Sequence, residues 1–228
     1  MDKLTLLHYL PILTTIISVL FSWRVLQRFY RTRGTHLLWW GVGILCFGLG
    51  TLAESWITLL GWNPILFKFW YIVGALLGGA PMAQGTVWLL LKASTARWIS
   101  MVFLLAFIIG TICIILSPLD LSLVNMHLPN GKVFVWQWVR IFSPIINTYA
   151  VIFLVGGALL SAYRFRNSPS PIAHDRFFGN SLIGCGAIFP ALGGLSSRLG
   201  ATQWLYPAEL IGLLFMWAGY WFCVRKKS

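Results

Sequence analysis

Acidic side chains are nearly missing from this chain: only five of its 228 residues are Asp or Glu, and 10% are charged at all. An ordinary water-soluble domain carries about a quarter charged residues. That deficit excludes a conventional soluble fold. Cysteine is equally sparse. Cys46, Cys113, Cys185 and Cys223 sit singly in four different apolar stretches, with no C-x-x-C pair. That spacing excludes a disulfide framework or a zinc ribbon and reads as small buried hydrophobes. The four histidines, His8, His36, His127 and His174, are scattered with no metal-ligand spacing, which argues against zinc or haem. No Gly-rich phosphate loop and no G-x-S-x-G is present, and Ser196-Ser197 beside Arg198 lacks the partners of a triad. No catalytic residue, metal or cofactor is therefore expected, and an enzyme is not the leading reading.

What the chain has in abundance is hydrophobicity: 58% of residues are apolar and the mean hydropathy is +0.80. A membrane-spanning helix needs about 20 mostly apolar residues. Seven stretches meet that length, at roughly 4–30, 36–60, 65–91, 96–117, 137–163, 177–198 and 202–223. The expected fold is all-α: a single polytopic bundle over residues 1–228, built from seven transmembrane helices. The first stretch exceeds the 7–15 residues of a signal-peptide core and is followed by Arg24, Arg28, Arg31 and Arg33. It is read as a retained helix.

The formal charge of +12 is unevenly placed. In a seven-span layout 12 of the 17 basic residues fall on one side, among them Arg24, Lys92, Arg97, Arg164, Arg176 and Arg225. The positive-inside rule then puts the N-terminus outside and the C-terminus inside. It also points to a bacterial-type plasma membrane and to anionic lipids on the cytoplasmic side. Nucleic acid is not an expected partner, since no soluble platform with stacking aromatics exists. Trp56, Trp62, Trp70, Tyr71, Trp136, Trp138, Trp204 and Tyr206 lie near the outer ends of the stretches, and Trp23, Trp39, Trp40, Trp88, Trp98, Trp217 and Trp221 near the inner ends. Such belts form where amphipathic rings meet headgroups.

Pro11, Ile12, Thr15, Tyr30 and Arg31 recur 133 residues later as Pro144, Ile145, Thr148, Tyr163 and Arg164. This suggests a parallel repeat of three helices, one linker helix and three helices, an arrangement known in transporters. Glycines gather in the second, third and sixth stretches, where small residues let backbones approach. Pro81, Pro144 and Pro190 lie inside the third, fifth and sixth, and each is expected to kink its helix around a central cavity. Between the fourth and fifth stretches, alternating residues flank Pro129-Asn130-Gly131-Lys132. The pattern predicts a short outer β-hairpin over Leu121–Trp138.

Few ionisable residues enter the apolar stretches: Glu54, Lys68, Arg140, Arg198 and Glu209, all toward the outer face in this layout. Intramembrane charges tend to face the bundle interior and to pair. The lysine and arginines can also snorkel to the headgroups. The expectation is that Glu54 and Glu209, with Tyr206 nearby, meet Arg140 or Lys68 at an outward-facing polar site that binds a ligand. Gln84, Asn147 and Asn180 are the deeper polar groups, expected to answer carbonyls freed by the prolines or to floor a pocket. A retinal pigment is improbable, because the seventh stretch holds no lysine.

Leu49-Gly50 followed by Glu54, then Lys68, Trp70, Tyr71 and Gly74, resembles the seven-helix sensor region at the N-terminus of bacterial histidine kinases. The similarity covers about 40 residues of the second and third stretches. It implies a membrane ligand sensor. With no kinase domain in these 228 residues, signalling is expected to pass through a protein partner. The leading expectation from the residues themselves is binding of a small apolar or amphipathic molecule inside the bundle, for transport or membrane handling. A stand-alone sensor or regulatory subunit is the alternative, and a structural subunit of a membrane complex the third reading.

Overall fold

Seven helices long and apolar enough to cross a membrane account for nearly all of the computed structural model, which describes residues 6–124, 130–199 and 204–225. They are α1 (Leu10–Thr32), α2 (Thr35–Leu60), α3 (Pro64–Leu90), α4 (Ala93–Leu116), α5 (Gln137–Phe165), α6 (Pro171–Arg198) and α7 (Leu205–Val224). Their bounds follow local signals. Arg33 takes a left-handed conformation and its amide donates to Phe29 O at 2.7 Å, ending α1. Asn63 starts α3: its side chain accepts from the amides of Ile65 and Leu66, and Pro64 occupies the first turn. Helix α6 starts at Pro171, six residues earlier than hydrophobicity alone predicts. Its first two turns carry His174, Asp175 and Arg176, and there Asp175 forms a salt bridge with Arg225 beyond the end of α7.

The expected outer hairpin is not seen among the described residues. Residues 125–129 lie outside the described part, but the flanking segments carry two short 3₁₀ turns, Leu121–Leu123 and Gly131–Val133, and a single antiparallel bridge between Leu119 and Phe134. Side-chain caps explain the difference. Asp120 accepts from the Ser122 amide and hydroxyl, and Asn130 accepts from the Lys132 amide. These local bonds compete with a β ladder. Phe134 then inserts between Phe67 and Tyr71 and is fully buried, pinning the crossing to the N-terminal part of α3. The two bonds from Ser122 hold the Asp120 carboxyl below its ordinary pKa. A depressed carboxylate contributes order above its unfolded pKa and loses it as pH falls through the folded value. Amide exchange at Ser122 is accordingly expected to be protected at neutral pH and to lose that protection below about pH 4, the ordinary carboxylate range. Protection already absent at neutral pH, or lost while the pH is still above about 4, would contradict this cap.

Six helices close a ring in the order α1, α2, α3, α5, α6, α7, with α7 returning to α1. Helix α4 stands outside it against α3 and α5, and most of its side chains, Met101, Leu105, Ile108 and Ile112 among them, face outward. In lipid such a surface is stable because the helix satisfies its own backbone. What fixes α4 is polar. The Gln84 side chain, fully buried on α3, donates to Ser100 Oγ at 2.6 Å and accepts from the Tyr149 hydroxyl of α5, while Trp88 Nε1 donates to the same Ser100 oxygen at 3.0 Å. Gln84 is thus a clasp between three helices and not a pocket floor.

Glycines set the ring's spacing. A Cβ on Gly43 would lie 2.7 Å from the Met82 backbone nitrogen, and one on Gly50 would lie 3.0 Å from Gly74 Cα. Between α6 and α7, a Cβ on Gly186 would meet Gly212 O at 2.7 Å, and one on Gly219 would meet Gly179 O at 2.5 Å. Close backbone approach of this kind replaces the hydrophobic drive that lipid cannot supply. The helices matched by the suggested repeat differ in detail: α3 is interrupted whereas α7 is continuous, and α5 contains a π-helical segment whereas α1 does not.

Candidate functional site

Helix α3 changes character in mid-span. It begins as an α-helix at Pro64–Trp70, widens to a π-helix at Tyr71–Leu76, turns at residues 77–79, and resumes as an α-helix at Ala80–Leu90. The turn depends on Gly78, whose φ of +44° suits a residue without a Cβ. Pro81 therefore sits in the first turn of the second half, where its missing amide costs nothing. Pro144 likewise falls in the first turn of the α-helical part of α5, Phe142–Ala150. Of the three prolines expected to kink helices, Pro190 alone stands inside a continuous one.

The interruption leaves the Ala75 carbonyl without its helical partner. Ser143 Oγ donates to it at 2.6 Å and Asn147 Nδ2 at 2.9 Å, both from α5. Asn147 thus answers a carbonyl freed by the π turn and not directly by a proline. Helix α5 carries its own π-helix at Val151–Val155. The two widened segments face one space, and π turns recur at functional sites.

That space is a cavity of about 680 Å³ enclosed by α2, α3, α5, α6 and α7. Its walls are mostly apolar or small: Phe47 and Gly50 from α2, Gly74, Ala75 and Met82 from α3, Leu154 and Val155 from α5, Ala187 and Pro190 from α6, and Leu205 and Met216 from α7. Asn130, Lys132 and Arg140 stand at its rim. Two carboxyl side chains reach it, Glu54 from α2 and Glu209 from α7, with 3% and 9% of their surface exposed.

The two carboxyl groups meet each other, with a side-chain hydrogen bond between them. Trp70 Nε1 donates to Glu54 Oε1 at 2.8 Å. Apart from the opposing carboxyl, Oε2 of each glutamate has no hydrogen-bond partner in the protein. A carboxylate is only an acceptor, so a bond between two carboxyl groups requires a proton on at least one. Tyr206 lies beside the pair, its hydroxyl 3.4 Å from Thr58 Oγ1.

The cations expected to join them are elsewhere. Lys68 Nζ donates to the carbonyls of Ile115 and Ser117 at 2.6 and 2.9 Å, at the C-terminal end of α4. The negative end of the helix dipole favours that placement. Arg140 bonds Gln137 Oε1 at 2.6 Å and covers Gly131 at the rim. The Arg198 side chain lies outside the described part. Asn180 donates to Arg176 O at 2.7 Å along its own helix and does not line the cavity. Among the described residues, the one salt bridge is Arg225–Asp175. The cysteines are free, and no group of three metal-ligating side chains occurs among the described residues.

Sequence reasoning underweighted two features of this site. Trp70 and Tyr71 look like belt residues, but both are buried, and Trp70 holds Glu54. The π-helical segments carry no residue signature that composition or spacing would show. Comparison with family models, with curated proteins and with solved structures finds no match.

Proposed function

We propose that this integral membrane protein binds a small amphipathic molecule in the cavity between α2, α3, α5, α6 and α7, for transport or membrane handling. The carrying observation is the combination of an apolar chamber of about 680 Å³ with two carboxyl groups whose Oε2 atoms have no protein partner inside it but the opposing carboxyl. Ligand sites are concave, mostly apolar, and supplied with a few placed polar groups. The interrupted α3 supports the reading, since broken helices at mid-span line substrate sites in transporters. The basic bias of one side supports an N-out, C-in placement in the plasma membrane, with anionic lipid against Arg24, Arg97, Arg164 and Arg176.

A ligand sensor acting through a protein partner is a second reading, favoured by one observation. Gly50, Glu54, Trp70, Tyr71 and Gly74, which carry the resemblance to sensor regions, all line this cavity.

The test is to fill the chamber. A Cβ on Gly194, at the α6 wall, meets nothing within 4 Å. Gly194→Phe is expected to leave the thermal midpoint nearly unchanged and to abolish small-molecule occupancy, read by native mass spectrometry of protein released from mild detergent. If wild type carries only bulk lipid, or both proteins carry the same species, binding within the bundle is wrong.

A further inference from the structure

We infer that the cavity takes an organic cation, whose positive head replaces one proton of the Glu54–Glu209 pair. The inference rests on the proposed binding role and names the ligand class. Both side chains are at least nine-tenths buried, both enter the cavity, and both present an Oε2 with no partner but the opposing carboxyl. A buried charge without a partner is costly, so the empty site is neutral, with a proton on each carboxyl. One of those protons bridges the pair and the other faces the cavity.

A cation entering there changes the balance. The head group binds the pair with charge +1, one carboxyl proton leaves to water at the rim, and the pair becomes −1. The site is neutral before and after, and no covalent bond forms. Phe47, Met82, Leu154 and Met216 offer the apolar body its contacts, which makes an amphipathic cation a better match than a bare metal ion. Two carboxyl groups alone are also too few oxygens for the six to eight that a hard cation takes.

Other titratable groups border the pair. Tyr71 of α3 lines the cavity and Tyr206 of α7 lies beside both carboxyls. Arg140 and Lys132 stand at the rim, Arg140 bonded to Gln137 and Lys132 exposed, where water and salt screen its charge. They discourage entry of cations without occupying the pair.

Ethidium, an aromatic cation, and phenanthridine, its uncharged ring system, separate charge from shape. Calorimetry of the full chain in zwitterionic micelles, in buffers of different ionisation enthalpy, reads affinity and proton release together. Ethidium affinity is expected to rise about tenfold per pH unit, as release of one proton requires. The double variant Glu54→Gln/Glu209→Gln, which has no carboxyl proton left, should remove the proton release, and each single variant, which keeps one, should still release it while weakening ethidium at least about tenfold, the scale of one pK unit. All three should keep the wild-type helical spectrum and elution volume. Arg198→Gln should change neither property, and loss of proton release in that variant would make Arg198 an internal counter-ion and overturn the proposal. Phenanthridine binding as tightly as ethidium, competed by Gly194→Phe and releasing no proton, would also overturn it while leaving the cavity's binding role intact. Failure of every probe to bind would remove both.

Discussion

Gly219→Ala is expected to force α6 and α7 apart. The added methyl would sit 2.5 Å from the Gly179 carbonyl oxygen and 2.9 Å from the Ile183 amide nitrogen. Those are backbone atoms of α6, so no rotamer change relieves the collision. Overpacking a tight interface costs about 1–3 kcal/mol, and a backbone clash belongs at the upper end. Gly212 faces Gly186 and Pro190 in the same way one and two turns along, so Gly186→Ala should behave alike, and the double variant should fail to accumulate folded. Gly156→Ala is the control. Nothing lies within 4 Å of its Cβ, and alanine's helix propensity favours it by up to about 1 kcal/mol. Thermal midpoints in one detergent decide the matter. Equal midpoints for Gly219→Ala and Gly156→Ala would mean that α6 and α7 are not in backbone contact.

Gly78→Val is expected to cost nearly as much for a different reason, and to damage the site as well. The backbone there has positive φ, which costs an L-residue about 1–2 kcal/mol and a β-branched one more. The new Cβ would also lie 2.5 Å from Asn147 Oδ1. Moving Asn147 withdraws its bond from the Ala75 carbonyl, worth about 1–2 kcal/mol within a membrane. The sum is roughly 3 kcal/mol by those same figures. Asn147→Leu removes the bond without the strain, so it should cost about 1–2 kcal/mol alone and little more when added to Gly78→Val. Independent, additive effects would show that the turn at 77–79 and Asn147 are not coupled.

Much of the architecture was legible before any coordinates. All seven spans were, with ends off by up to six residues, because bilayer thickness dictates their length. Glu54 and Glu209 stood out because carboxyl groups are so rare in apolar stretches. Their meeting with each other instead of with Lys68 or Arg140 was not legible. It depends on which face of α2 and α7 each occupies, and on Lys68 finding the carbonyls at the end of α4. The hairpin expected over Leu121–Trp138 is not seen among the described residues, because the alternation there ignores two side-chain caps and one buried phenylalanine. The prolines misled for a related reason: whether Pro81 or Pro144 bends a helix depends on whether the helix has begun before it.

The π-helical segments act as phase shifters. An α-helix advances about 100° per residue, so the one extra residue stored in Val151–Val155 rotates everything after it by that angle relative to the cavity wall before it. That rotation sets Gly157 against Thr86, where a Cβ would lie 2.5 Å from the Thr86 methyl. Removing a single residue from this segment would restore a regular helix and turn that face of α5 away from α3, while leaving composition and hydropathy almost untouched. The length of α5, counted to the residue, therefore carries information that its chemistry does not.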